Sequence, residues 1–381
     1  MLALSAAVAL AGVLASSVAS AGPREQARRI HERLAGVPPT EAVLTDMQAD
    51  VAGSNATDAA LTAMDNSNFY SVTLKNFAAP WTNRDQSVFV PLNDYTATVI
   101  GMVRDDVPFN TLLSANLVYV GTGGGVPAYS PSNNDNYQAL DDQNADLKTR
   151  LIASSQSAVS GLPDSATAGV LTTRAAAEAF FIAGTNRAMF RFTMLNHLCR
   201  DMEQVHDTSR TPDRIRQDVS RSPGGDSRIF LNNCIGCHSG MDPLAQAFAY
   251  YTFDPALGRI QYTPGVVQPK YFNNDATFQY GYRTPDDHWS NYWRAGQNAL
   301  LGWDAQLAGS GTGAKTMGQE LANSTAFARC QVEKVFRNVC LRSPVDGSDR
   351  TQIDSMVSSF RTGGYRLKQV FAESAAYCMG D

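Results

Sequence analysis

Two cysteines three positions apart, with a histidine directly after the second, are the residues whose types and spacing could do chemistry: Cys234-Ile235-Gly236-Cys237-His238. Cys-x-x-Cys-His is the attachment pattern of c-type haem. Two thiols about a helical turn apart can each add to one of the two vinyl groups of a single porphyrin. The adjacent imidazole then comes up beneath the iron as its proximal ligand. On this reading Cys234 and Cys237 form the thioethers and His238 binds iron. Two rival chemistries use similar residues. A structural zinc site needs four ligands, and no second close Cys/His pair completes one here. A thiol-redox pair is expected in a βαβ setting, whereas the surroundings read as mostly helical. The expected cofactor is one covalent haem c.

The far face of that haem is open to several residues, the usual strong-field partners being His and Met. His288 sits in a loop with Trp289 and Trp293, and Met317 stands between a glycine-rich loop and a helix start. These two are the candidate distal ligands. His197 and His206 lie upstream. Met241 follows His238 by three residues, a spacing that holds it on the same side of the ring, so its expected role is packing.

The elements that position the motif are read from its flanks. Arg228 to Leu231 fit a short helix running into it. Asp242 is a good N-cap with Pro243 at the first helical position, so a new helix is expected directly afterwards. Upstream, the residues from Glu25 to Val51 read as two helices broken at Gly36-Val37-Pro38-Pro39, with Thr40 as N-cap of the second. Tyr95 to Val103 reads as a helix, and Phe109 to Val120 as another. Residues 121–150 are rich in Gly, Ser, Asn, Asp and Pro and read as a long loop. Their Asn/Asp density fits turn chemistry and lacks EF-hand spacing. Strong helix formers flank Gly184. Residues 254–315 are loop-like and aromatic, and the chain closes in helices over 317–341, 350–360 and 365–377. The expected fold class is mostly α, with a C-terminal cytochrome c-like helical haem domain carrying long loops. The expected organisation is a signal peptide (1–21), a mainly helical region (22–120), a linker (121–165) and the haem-binding domain (166–381).

Composition sets the bounds. The 381 residues are 44% hydrophobic and 18% charged, within the range of a folded globular protein. A net charge of −5 and a pI near 5.6 leave no basic footprint for nucleic acid. The first 23 residues carry no charge, and Ala19-Ser20-Ala21 supplies a small-x-small cleavage pattern, although the basic n-region of an ordinary signal is missing. Export to the periplasm, cell surface or medium is expected, with no membrane span once the signal is removed.

An oxidising destination gives the other four cysteines a use. Cys199, Cys330, Cys340 and Cys378 can form two disulfides. Val332, Val335, Phe336 and Val339 mark the apolar stripe of one helix carrying both Cys330 and Cys340. Ten residues of helix separate them by about 15 Å, and a disulfide needs its Cα atoms within about 7 Å. Each is therefore expected to pair elsewhere, which leaves two of the three connectivities open; of these, Cys340–Cys378 with Cys199–Cys330 is the expected one.

The stretch Arg228 to Ile260, with Cys-x-x-Cys-His-x-x-Met-Asp-Pro-Leu followed by Phe, Asp and Gly-Arg, resembles planctomycete-type secreted cytochrome proteins built from domains of unknown function. The segments ARRIHERLAGVPPTEAVL, RDDVPFNTLLSANLVYV and LANSTAFARCQVEKVFRNVCLR resemble further parts of the same proteins, so the likeness covers most of the mature chain. Ala245 departs from the pattern, which has Gly after Met-Asp-Pro-Leu, and the long additional domains of many members are absent. The resemblance implies a secreted, single-haem, helical protein and leaves its activity open. Three functions are compatible. Electron transfer to a partner protein is the expected one, making the chain an electron carrier rather than a catalyst. A peroxidase- or oxidase-like haem enzyme would need an open sixth position and an acid–base residue, for which His206 and Glu203 are candidates. A haem-stabilised binding protein would use the tryptophans of 271–303 as a ligand surface.

Overall fold

The computed structural model describes residues 21–181, 186–215, 227–272 and 281–380. The expected signal peptide lies almost wholly outside them. Among the described residues the architecture is mostly helical, with three two-stranded antiparallel ribbons.

The first half is built from capped amphipathic helices. Helix α1 (Pro23–Ala35) starts with Pro in its first turn and ends at Gly36, whose φ of 72° no side chain adopts easily. Thr40 then caps α2 (Glu41–Ala52), its side chain accepting from the Val43 amide. Helices α3 (Ala56–Ala63) and α4 (Asp94–Arg104) follow, the latter capped by Asn93 Oδ1 on the Thr96 amide at 3.0 Å. Residues expected as a helix over 109–120 instead form one 3₁₀ turn (Phe109–Thr111) and strand β1 (Val118–Gly121). Strand β1 pairs with β2 (Leu151–Ser154), Val118 opposite Ser154 and Gly121 opposite Leu151.

The expected long loop between those strands carries helix α5 (Asp135–Asp142), which buries Tyr137 and Leu140. Buried Asn136 organises the rest: its Oδ1 accepts from the Gly121 amide at 2.8 Å, and its Nδ2 donates to the carbonyls of Gly121 (2.9 Å) and Pro127 (2.6 Å). Helices α6 (Arg174–Phe180) and α7 (Arg187–Thr193) lie on either side of Gly184, which is outside the described residues.

Helices α8 (Ser227–Asn233) and α9 (Ile235–Ala245) meet at Cys234. Two ribbons come next, β3 (Tyr251–Asp254) with β4 (Arg259–Tyr262), and β5 (His288–Ser290) with β6 (Ser310–Thr312). Four helices close the chain: α10 (Gly313–Ala322), α11 (Thr325–Cys340), α12 (Gly347–Thr362) and α13 (Leu367–Tyr377). The expected helix over 317–341 is thus split, because Ser324 Oγ accepts from the Phe327 amide and starts α11 afresh.

One apolar cluster takes buried residues from Ala27 to Ala375, including Ala59 and Ala60 of α3 and Val370 and Phe371 of α13. The Phe371 ring meets Phe69 at 5.2 Å and Phe77 at 5.4 Å, edge to face. Both expected disulfides are present, Cys199–Cys330 and Cys340–Cys378. Helix α11 runs unbroken between Cys330 and Cys340, as the stripe requires. No helix among the described residues is long and apolar enough to cross a membrane.

Candidate functional site

The motif occupies the joint of α8 and α9. Cys234 closes the first turn of α9, its carbonyl accepting from the amides of Cys237 (3.2 Å) and His238 (3.1 Å). That turn brings both cysteines and the histidine within one stretch of helix. Cys234 and Cys237 are unbridged and partly exposed. Cys234 and Ile235 pack on Ile215. The Cys237 thiol lies 3.3 Å from the Met202 carbonyl. Burial pushes the Cys237 thiol above its ordinary pKa, and the charges of Cys234, Glu203 and Asp201 add to this.

Two glycines let aromatic rings sit directly on this helix. A Cβ on Gly236 would fall 2.3 Å from Nε2 of His206, so that imidazole lies against the middle of the motif. The Asp207 amide donates to the Gly236 carbonyl at 2.9 Å and fixes the same segment there. A Cβ on Gly240 would fall 2.0 Å from Nε1 of Trp293. Trp293 is completely buried, and its Nε1 has no hydrogen-bond partner among the described residues. Trp303 Nε1 donates to the Trp293 carbonyl at 2.9 Å, and Glu320 of α10 clamps the loop through Arg294 (2.7 and 2.8 Å) and Asn291 (2.8 Å).

Asp242 was expected to begin a new helix, and it does not. Helix α9 runs on through Asp242 and Pro243 to Ala245, and the Gln246 amide still bonds back to the Asp242 carbonyl. The side chain that would have capped a helix start is committed elsewhere. Its Oδ1 accepts from His238 Nδ1 at 3.1 Å and Arg187 Nε at 2.7 Å, and its Oδ2 accepts from Arg187 Nη2 at 2.8 Å. The Asp242 side chain is wholly buried and that of His238 is 19% exposed. With Nδ1 donating to a carboxylate, Nε2 is the nitrogen that would face a metal.

The other sequence candidates fall in different settings. Met241 is buried in the core. Met317 is completely buried on α10 within the main apolar cluster. His288 is partly exposed on β5, its amide donating to Asp286 Oδ1 (2.8 Å) and its carbonyl accepting from Arg214 (3.2 Å). His197 is buried far into the core between Trp81 and Phe327, its Nε2 bonded to the Tyr95 hydroxyl at 2.6 Å. Glu203 is exposed, as is His206. Trp289 and Trp293 are buried, and Trp289 Nε1 donates to Thr316 Oγ1 at 2.8 Å, so neither offers a face for stacking on a ligand. Among the described residues no three His, Cys, Asp or Glu side chains converge as a metal-binding group, and a zinc tetrad needs four ligands.

The residues sequence reasoning missed are Asp242 as the partner of His238, and Arg187 as the partner of Asp242. The i, i+4 spacing of His238 and Asp242 is the signal for one helical face, but Pro243 disguised it as a helix boundary.

The arrangement fits a covalently attached haem on donor chemistry. Two thiols stand a helical turn apart and remain open while the other four cysteines are bridged. The adjacent imidazole is oriented through its second nitrogen. Comparison with protein-family models, curated proteins and solved structures finds no match. The fold and the site themselves define a mostly helical protein with two disulfides and a Cys-x-x-Cys-His turn packed against its core.

Proposed function

We propose that this chain is an exported monohaem c-type cytochrome that passes single electrons to a partner protein. Cys234 and Cys237 hold the haem through thioether bonds, and His238 is its proximal ligand. One observation carries the reading: four cysteines close into two bridges while the pair in the motif stays open beside an imidazole tethered to a buried carboxylate. Disulfides mark an oxidising compartment, and an unbridged pair there needs another fate. Thioether formation gives it one. The resemblance of the motif and its flanks to secreted planctomycete-type cytochromes supports the same conclusion, as does the apolar leader.

The chain's own residues hold and orient. Asp242 fixes the tautomer and ring plane of His238. Trp293 and Trp289 fill the space beside α9 and exclude water from one side of it. The bound haem would supply the one-electron redox couple. His288 and Met317 stand as candidate distal ligands.

The test is expression in a host with a haem-attachment system, followed by mass and visible spectroscopy in both redox states, with and without cyanide or carbon monoxide. One covalent haem is expected, with a low-spin spectrum indifferent to both ligands. A high-spin iron that binds them readily would replace electron transfer with the enzyme reading. A full-length protein with no haem absorbance would sink the proposal.

A further inference from the structure

The carboxylate behind His238 does more than complete a helix contact. We propose that Asp242, with its charge partly offset by Arg187, is a positioning residue that sets the reduction potential of the haem through Nδ1 of His238. This rests on the haem reading above and adds to it the pair of residues that tunes the iron.

The geometry is fixed from two sides. Asp242 lies one turn past His238 on α9, so their side chains share a face. Arg187 is the first residue of α7, and its place is set by Asn186. That residue adopts a φ of 61° and donates through Nδ2 to the carbonyls of Phe248 (2.8 Å) and Tyr251 (2.9 Å), just beyond the end of α9. The arginine fork then meets the carboxylate with both of its edge nitrogens. An ion pair that only pinned α7 to α9 would be complete with those two bonds. The third bond, from the imidazole next to the thiols, ties the pair to the site.

The electronic consequence follows from the charge. A carboxylate accepting from Nδ1 makes the imidazole a stronger donor through Nε2. A stronger axial donor stabilises the oxidised iron and lowers the potential. Because Asp242 is buried, its charge is poorly screened and the effect is strong. Arg187 shares the carboxylate and draws the potential back upward. Asp242 and Arg187 therefore act on the iron with opposite signs.

The experiment measures the potential of the full-length haem protein by spectroelectrochemistry in wild type, Asp242→Asn, Arg187→Gln and Arg187→Lys, with melting curves to confirm folding. Asp242→Asn keeps an acceptor for Nδ1 and removes the charge, so its potential is expected to shift up. Arg187→Gln leaves the carboxylate less compensated, so its potential is expected to shift down, and Arg187→Lys to return toward wild type. Should Asp242→Asn fail to fold, the two Arg187 variants still decide the matter. Potentials that stay put, or that shift in the same direction in Asp242→Asn and Arg187→Gln, would overturn the inference while leaving the haem reading intact. A wild-type protein without covalent haem would overturn both.

Discussion

The two ends of helix α11 and the first turn of α9 use cysteine in opposite ways. Around α11 every cysteine is closed: Cys330 reaches back to Cys199, and Cys340 reaches forward to Cys378. The surroundings are apolar and aromatic, with Val332, Val335, Phe336 and Val339 completely buried. Around α9 the cysteines are open, and the holding forces are an ion pair, an imidazole bond and two rings laid on glycines. The first region is stabilised by crosslinks and burial, which need no cofactor. The second is arranged so that three reactive groups remain on one turn. The difference separates thiols that crosslink the fold from two that stay open beside an imidazole.

The largest effect that tests this contrast comes from removing the open pair. Replacing Cys234 and Cys237 with Ala is expected to abolish covalent haem entirely, as read by intact mass, while both disulfides still form. If haem stayed covalently bound to that variant, the attachment site would lie elsewhere.

Removing the closed pairs should do the converse. In the chain-entropy picture, losing the Cys199–Cys330 bridge, a separation of 131 residues, costs about 5 kcal/mol, and losing Cys340–Cys378, a separation of 38, about 4 kcal/mol. Urea unfolding of Cys-to-Ser double variants checks both. Haem content per folded molecule is expected to stay near one. A loss of haem from protein that remains folded would show that the two regions are not separate in this sense.

A smaller effect compares the two glycines. Gly240→Ala places a methyl group against a ring that is buried all round, and overpacking of that kind costs roughly 1–3 kcal/mol. Gly236→Ala meets His206, whose ring is exposed and can swing away, so its cost is expected to be smaller. Equal melting temperatures for the two variants would contradict the buried clamp of Trp293 on α9.

The sequence carried the closed region more openly than the site. Helices α1, α2 and α4 announce themselves through Gly36, Thr40 and an apolar stripe, all local signals. The stripe over 332–339 was legible and sets Cys330 and Cys340 apart, which rules out one of three pairings; the choice between the other two is made by the tertiary fold. The segment 109–120 was not, since Leu112, Leu113, Val118 and Val120 fit either period, and the outcome is decided by a partner strand more than thirty residues away. Asn136 illustrates the same limit: its turn-like residue type conceals a buried hydrogen-bond hub. At the candidate site Cys234, Cys237 and His238 lie within five residues of sequence and are therefore readable. Their support comes from Arg187 and Trp293, which only the tertiary fold brings close, and from Asp242, whose capping preference was overridden by a buried ion pair.

The smallest expected effect concerns pH and lies with a histidine of the closed region. His197 is completely buried beside Tyr95, Trp81 and Phe327, and Lys334 of α11 lies over the Trp81 ring at 3.9 Å. Burial, with the Lys334 charge adding to it, holds the imidazole pKa well below its ordinary value, so the ring is neutral in the fold. In the unfolded chain the same ring takes up a proton near pH 6.5. Unfolding therefore binds a proton below that pH, and stability present above it is lost as pH falls. Between pH 7 and 5.5 the contribution is about 1 kcal/mol. Against a His197→Gln variant, the stability advantage of wild type should shrink by that amount across this window, measured by urea unfolding at each pH. An advantage that stays constant from pH 7 to 5.5 would mean that the ring titrates alike in both states, and that the closed region does not seal His197 from water.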